Sequence, residues 1–445
     1  MRKPAQTANF SLKNGKNTKN MIILNTMRIG FYFECFKRSG GTYQYALNLL
    51  DALRETGYPV TIFNISPDFP FEEYKLPNWK VINIIRLEEG EKTQQKEGML
   101  DPRSKTQTPL RKFKLWILKV IRYLHLYKLE IFLTRKSSSN RVKNFKDLDL
   151  MFYHGPSELS FLTNIPGVVP IHDLHHRNIP PFPEMTKFGQ YIKREYLFKN
   201  ITKRAWKILV DSNTGKGEII KYYGVEKDHI IVFPPLGPNY LKKEVSQKEK
   251  DDLRAKYNLP EKFLFYPAQF WPHKNHQNIV RAVKILKDRG IIAPLVFVGS
   301  KQDTWGESGR VIKLTEELGL HNQIYFLGYT PNEEMRVIYS MAEAMLMTAF
   351  VGWTYIPVPE AWFMECPVIY STAKGCEEQG GDAALFPDPC NPQDIADKIQ
   401  MLWGNEELRK TLINNGNKKL ASWTKKDVAE LVKKIIQEFE LTHNK

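Results

Sequence analysis

The chain has 445 residues, 42% of them hydrophobic, which allows two separate cores and excludes a disordered or fibrous protein. Its net charge of +16 is local: residues 1–20 hold five Lys/Arg and no acid, and residues 103–146 hold thirteen against Glu130 alone. The remaining body is close to neutral, so no nucleic-acid partner is expected, and the absence of Cys-x-x-Cys spacing among Cys35, Cys366, Cys376 and Cys390 fits a reducing cytoplasm.

Residues 1–26 read as a disordered basic lead without the apolar core of a signal peptide, and Met21 and Met27 are alternative starts. No apolar run reaches transmembrane length. Met27–Phe33 predicts a buried strand, followed by a turn at Gly40 and Gly41 that opens an amphipathic helix with Ala46, Leu49, Leu50 and Leu53 on one face. A strand, a Gly-rich turn and a helix make half a mononucleotide-binding unit, although the spacing is not Gly-x-Gly-x-x-Gly.

Tyr58–Ile65 predicts a second strand, and residues 66–109 an irregular polar stretch. Over residues 110–133, Phe113, Trp116, Val120, Leu124, Tyr127 and Ile131 trace a helical stripe, with Arg111, Lys112, Lys119, Arg122 and Lys128 mostly opposite. Two readings stay open: an interfacial helix on anionic lipid, or a core helix with solvated lysines. A strand is expected over residues 146–154. Asp147 and Asp149 before it form an Asp-x-Asp pair, but hard-cation sites need further oxygen ligands, and no metal is expected.

Gly167–Leu174 predicts a buried strand ending in His172 and Asp173, a pair suited to a sugar hydroxyl or a phosphate. A zinc site on His172, His175 and His176 lacks helical spacing and a cysteine partner. A helix over residues 191–205, a strand over 206–211, a helix over 212–223 capped by Ser212 or Asn213, and a strand over 232–239 complete a first domain, residues 27–240 with a basic insertion at 66–146. The charged stretch Lys242–Lys256 marks the linker, set at residues 241–250, before a second domain at 251–423.

The second domain restarts the alternation with Phe263–Gln269. Lys274 lies just before a helix, where an ammonium can neutralise a diphosphate leaving group, and Asn275 and His276 are placed to assist. Leu295–Ser300 ends on a Gly299-Ser300 turn near a phosphate or base. The central stretch is TAFVGWTYIPVPEAWFMECPVIYSTAKGCEEQGGDAALFPD, residues 348–388. A strand leads through a Gly/Pro loop to Glu360 at a helix start, and a Gly375–Gly381 loop follows that could present backbone amides to an anion. A carboxylate facing a strand-end crevice can accept both hydroxyls of a ribose, while free amides hold a diphosphate.

IPVPEAWFMECPVI followed by GGDAALFPDP resembles the nucleotide-sugar segment of the retaining GT-B glycosyltransferases of family 4, glycosyl transferases group 1. The resemblance implies an α/β fold of two Rossmann-like domains facing a cleft, with a C-terminal helix (residues 424–445) crossing back to the first domain. The family's Glu-x7-Glu maps its second Glu onto Glu360 and its first onto Gly352; the loop instead fits a minority form, Gly-x-Thr-x-Ile-Pro, through Gly352, Thr354 and Ile356. In the family's Gly-Arg-x-x-x-x-Lys-Gly motif, Lys274 takes the Lys place and Gln269 the Arg place. Gly40 and Gly41 match the loop where acceptor and donor phosphates meet, and His172 with Asp173 matches its strand-end His-Asp. Basic amphipathic helices recur in relatives that use lipid-linked acceptors, which keeps open peripheral contact of residues 103–146 with the inner membrane face beside the core-helix reading.

The resemblance therefore implies a cytoplasmic, retaining hexosyltransferase, with mannose from a GDP-linked donor as first choice over a UDP-linked one. It would extend a surface polysaccharide or a lipid-linked glycan, with the nucleotide sugar as co-substrate and no cofactor or metal. Two rivals follow from the departures at Gly352 and Gln269 and from the shared fold: a catalytically weak sugar-nucleotide-binding protein, and a non-hydrolysing UDP-sugar epimerase.

Overall fold

Short apolar runs bounded by turn residues become strands buried on both faces, the condition for an all-parallel sheet covered by helices. A computed structural model describes residues 27–37, 40–84, 120–121, 126–143, 145–177, 182–237, 239–242, 244–300 and 305–443. The first sheet contains β1 (Ile29–Phe33), β2 (Val60–Asn64), β3 (Trp79–Asn83), β4 (Leu150–Tyr153), β5 (Gly167–Pro170), β6 (Lys207–Val210) and β7 (Ile230–Val232), all parallel, in the order β3-β2-β1-β4-β5-β6-β7. The second contains β8 (Leu264–Pro267), β9 (Leu295–Val298), β10 (Ile324–Gly328), β11 (Ala344–Met347) and β12 (Val368–Tyr370), also parallel, in the order β10-β9-β8-β11-β12. Strand order reverses between β1 and β4 in one sheet and between β8 and β11 in the other. Ligands collect at such switch points, beyond the carboxyl ends of the strands.

One face of the first sheet is covered by helix Gly41–Thr56 and by the last helix, Lys425–His443, whose Val428, Val432, Ile435, Ile436 and Phe439 join the first domain's core. The Lys207 ammonium meets Glu438 at 2.6 Å, and Tyr58 donates to Glu440 at 3.0 Å, fixing that return. The other face is covered by helices Gln190–Arg204 and Asn213–Tyr223. Ser212 starts the latter by accepting from the Gly215 amide at 3.1 Å, and Gly224 ends it in a left-handed turn.

Several sequence expectations change. Trp79–Asn83, read as part of an irregular stretch, is an edge strand paired with β2; exposed alternate positions had hidden its periodicity. The helix expected over 110–133 falls largely outside the described residues; within them, Val120 and Ile121 are helical and a helix runs from Tyr127 to Val142. The expected strand 232–239 stops at Val232, because Pro234 and Pro235 have no N–H to offer a ladder. The charged linker is largely helix, Gln247–Tyr257, started by a capping box between Ser246 and Glu249 and anchored by Leu253 in the second core. The Gly375–Gly381 stretch forms a short helix, Cys376–Gly380. The lead at residues 1–26 lies outside the described residues. Among the described residues, no helix is long and apolar enough to cross a membrane.

Candidate functional site between the two sheets

The carboxyl ends of the two sheets face each other across a cavity of about 810 Å³, within the range of small-molecule sites. Gly40 and Gly41 line it after β1, His172 and Asp173 after β5, and Gln269 and Lys274 after β8. Thr354, Ile356 and Glu360 line it after β11, and Gly299 after β9. Gly40 turns with φ 55°, and a Cβ on Gly41 would stand 3.1 Å from Ile356 of the other domain. At Gly299, a Cβ would meet the Ala268 carbonyl at 2.3 Å, so only glycine lets these strand ends approach so closely.

The first-domain wall is organised by His172. Its Nδ1 lies 3.1 Å from Asp211 Oδ1 at the end of β6, and the Tyr45 ring abuts it edge-on, with centroids 4.5 Å apart. Its Nε2 is buried with no hydrogen-bond partner. Burial opposes the charged ring, but Asp211, aided by Asp173, outweighs it and holds His172 above the ordinary histidine range. Asp173 turns away from His172: its carboxylate pairs with Arg194 and accepts from the His175 amide at 3.0 Å. Burial pushes Asp173 up, but Arg194 and His175 prevail and hold it well below the usual carboxylate range.

The second-domain wall carries the ammonium. Lys274 ends a 3-10 turn, Pro272–Lys274, and its Nζ stands 3.8 Å from the centre of the Tyr355 ring. Burial brings its pKa down to about 8, against the pull of Cys376, Asp173 and Glu184. Tyr355 also fills the direction in which Gly352 would carry a side chain: a Cβ there would meet the ring at 2.4 Å. Gly352 therefore supports Tyr355 and offers no side-chain contact to a ligand. Gln269 faces the cavity with its Oε1 accepting from the Ser300 amide at 3.0 Å. Asn275 is drawn into structure: its amide donates to the Thr348 and Pro389 carbonyls at 2.8 and 2.7 Å. His276 is fully buried and stacks on Phe270.

Glu360 lies in the first turn of helix Pro357–Phe363 with its side chain buried. Tyr339 donates to its Oε2 at 2.7 Å, and the Tyr240 phenol also hydrogen-bonds to it. Burial pushes its carboxyl up to about 6, while both phenols work in the opposite direction.

Contacts between the two domains close the cleft. Trp353, from the loop after β11, is buried in the first domain's core with its Nε1 donating to Glu218 at 2.8 Å. Glu378 accepts from the backbone and side chains of Asn213 and Thr214 at 2.7–3.0 Å, capping a first-domain helix from the second domain. Glu184, on a short first-domain turn, accepts from the His273 backbone amide at 2.9 Å and lies 2.7 Å from its Nδ1. Thr354 also reaches Asp211, at 3.4 Å.

Asp211, Tyr45, Arg194, Tyr339 and Glu184 escaped sequence reading. Asp211 alone left a signal, as an acid at the end of an expected strand. Asp149 and Asp147 both surround Arg28, with Asp149 accepting from its amide and guanidinium at 2.8–3.2 Å. Among the described residues, no cluster of His, Cys, Asp and Glu suits a metal ion.

The family described as Glycosyl transferases group 1 matches residues 248–419, and Glycosyltransferase Family 4 matches residues 39–236. The serotype-specific mannosyltransferase WbdA of Escherichia coli is 24% identical over 261 residues, 56% of this chain and 31% of that protein. The O-antigen chain mannosyltransferase B of Escherichia coli is 25% identical over 251 residues, 56% of this chain and 63% of that protein. The chain thus spans less than two thirds of these curated relatives. Among solved structures, Anabaena HepE in complex with UDP-glucose superposes with a TM-score of 0.64 at 14% identity, covering 93% of this chain and 100% of that one. That likeness establishes the shared fold.

Proposed function

Because the chain belongs to the group 1 glycosyltransferases of the GT-B fold, we propose that it moves a hexose, mannose first, from a nucleotide sugar to a hydroxyl of a growing surface glycan or lipid-linked acceptor, with retention at the anomeric carbon. The observation that carries this reading is the single hollow shared by Glu360, Lys274 and His172. Glu360 would exchange its phenol partners for ribose hydroxyls, Lys274 would leave the Tyr355 face for the diphosphate, and the free Nε2 of His172 would meet the sugar. Charge developing on the leaving diphosphate is then met by an ammonium partly shielded from water, where it acts more strongly than in bulk solvent. Closure through Trp353 and Glu378 keeps water from the activated sugar.

Mannose is supported by the mannosyltransferase relatives, and UDP is the alternative to GDP as carrier because HepE binds UDP-glucose. Incubation with GDP-mannose and UDP-glucose, with release of GDP or UDP measured, tests the reading. Release of neither nucleotide, with or without lipid-linked acceptor, would refute it. Peripheral membrane contact on the cytoplasmic side is part of the proposal. It is supported by Leu129, Phe132 and Leu133 exposed on helix Tyr127–Val142, with Phe188, Tyr191 and Ile192 also exposed on the same domain. Deleting residues 103–146 should abolish flotation with anionic liposomes.

A further inference from the structure

We propose that Glu184 and His175, both on the first domain, form the hydroxyl-binding end of the donor site, so that a neutral hexose is gripped across the cleft. The inference deepens the nucleotide-sugar reading and rests on it. Glu184 Oε1 is taken by His273, but Oε2 has no hydrogen-bond partner, although the side chain is only 6% exposed. His175 is in the same condition: its Nδ1 faces Asp173 at 3.6 Å, and its Nε2 is buried without a partner. Both residues line the cavity, and the His175 ring lies 5.7 Å from the His273 ring that Glu184 holds, so the two side chains belong to one wall.

Desolvated polar atoms are rarely left unmade, and a pair of bare acceptors in a cavity wall calls for a ligand that brings donors. Burial holds the His175 ring below its ordinary range, so with Nδ1–H turned to Asp173, its Nε2 accepts. Two neighbouring hydroxyls of a pyranose satisfy this wall, one donating to Glu184 and one to His175. A phosphate does not, since it also brings only acceptors; the diphosphate belongs with Lys274. A uronate is disfavoured for the same reason.

This geometry also ties sugar recognition to closure. Glu184 stands on the first domain but is held by His273 of the second, so the wall is complete only when the domains meet. A nucleoside diphosphate, which carries no hexose, gains nothing from it.

Calorimetric titration of GDP-mannose and UDP-glucose, alongside GDP and UDP, into the full chain and its variants tests the inference. For the donor that the unaltered chain binds, Glu184→Ala should weaken the sugar nucleotide at least ten-fold and its free diphosphate less than two-fold. Glu184→Gln, close in shape, should show the same asymmetry at three-fold or more and carries the test if the alanine variant does not fold. His273→Gln, which removes the ring contact but keeps the backbone amide that holds Glu184 Oε1, should leave the ratio of the two affinities unchanged. A parallel loss of both ligands, no loss of either, or the Glu184→Ala pattern reproduced by His273→Gln would overturn the inference and leave the nucleotide site standing. If the unaltered chain bound none of the four ligands, the nucleotide-sugar reading would fall first, and this one with it.

Discussion

A single methyl group placed at Gly215 isolates the contribution of domain closure. Gly215 lies in the first turn of helix Asn213–Tyr223, and a Cβ there would stand 2.6 Å from the Trp353 indole, whose loop belongs to the other domain. Its backbone is not in the left-handed region, so alanine fits the helix itself and gains about 1 kcal/mol of helix propensity in the first domain. The clash falls entirely on the closed form. Overpacking of this kind costs about 1–3 kcal/mol, which lowers the closed population by roughly 5- to 150-fold relative to the open one. Gly217, two residues along the same helix, provides the control: a Cβ there meets nothing within 4 Å. We therefore expect Gly215→Ala to reduce kcat/KM for the donor within that range while the melting temperature holds or rises. Gly217→Ala should leave turnover alone. Equal turnover in both variants, with unchanged Trp353 fluorescence, would refute the claim that the indole must seat for the site to work.

Lys274→Ala should lower kcat by about a hundred-fold, the scale of removing one preorganised donor, with a smaller effect on donor affinity; steady-state kinetics separate the two. Donor affinity should be greatest between about pH 6 and 8. Below that window Glu360 takes up a proton and loses its capacity to accept two ribose hydroxyls, and above it Lys274 loses its charge. Titrations from pH 5 to 9 that gave a flat profile would count against both assignments. Glu378→Ala removes the cap that the second domain places on helix Asn213–Tyr223, worth about 1 kcal/mol, and should raise the donor KM several-fold without lowering the melting temperature of the first domain by more than a few degrees.

Most of the architecture was legible because parallel strands buried on both faces leave unbroken apolar runs such as those at β1, β8 and β11. The site was legible only where one residue acts alone. Lys274 and Glu360 could be placed from the turns they follow. Adjacency misled the reading of His172 and Asp173: neighbours in extended chain point to opposite sides, so His172 finds Asp211 and Asp173 finds Arg194, partners 39 and 21 residues away. Likewise Gly352 looked like a missing carboxylate, when the Tyr355 ring folds back into the space a side chain would need. Asn275 looked like a ligand contact, yet a left-handed residue between a 3-10 turn and a helix is placed to tie neighbouring loops. Side-chain pairings of this kind depend on the fold and leave no local mark.

The return of helix Lys425–His443 to the first sheet has a consequence for biosynthesis. Val432, Ile436 and Phe439 complete an apolar layer whose opposite half, around Leu49 and Leu53, leaves the ribosome with the whole second domain still to be made. Domains ordinarily fold in the order of their synthesis. Here the one made first must wait, its greasy flank uncovered, until Lys425–His443 emerges and seals it, so the nascent chain needs sheltering for as long as the second domain is being made.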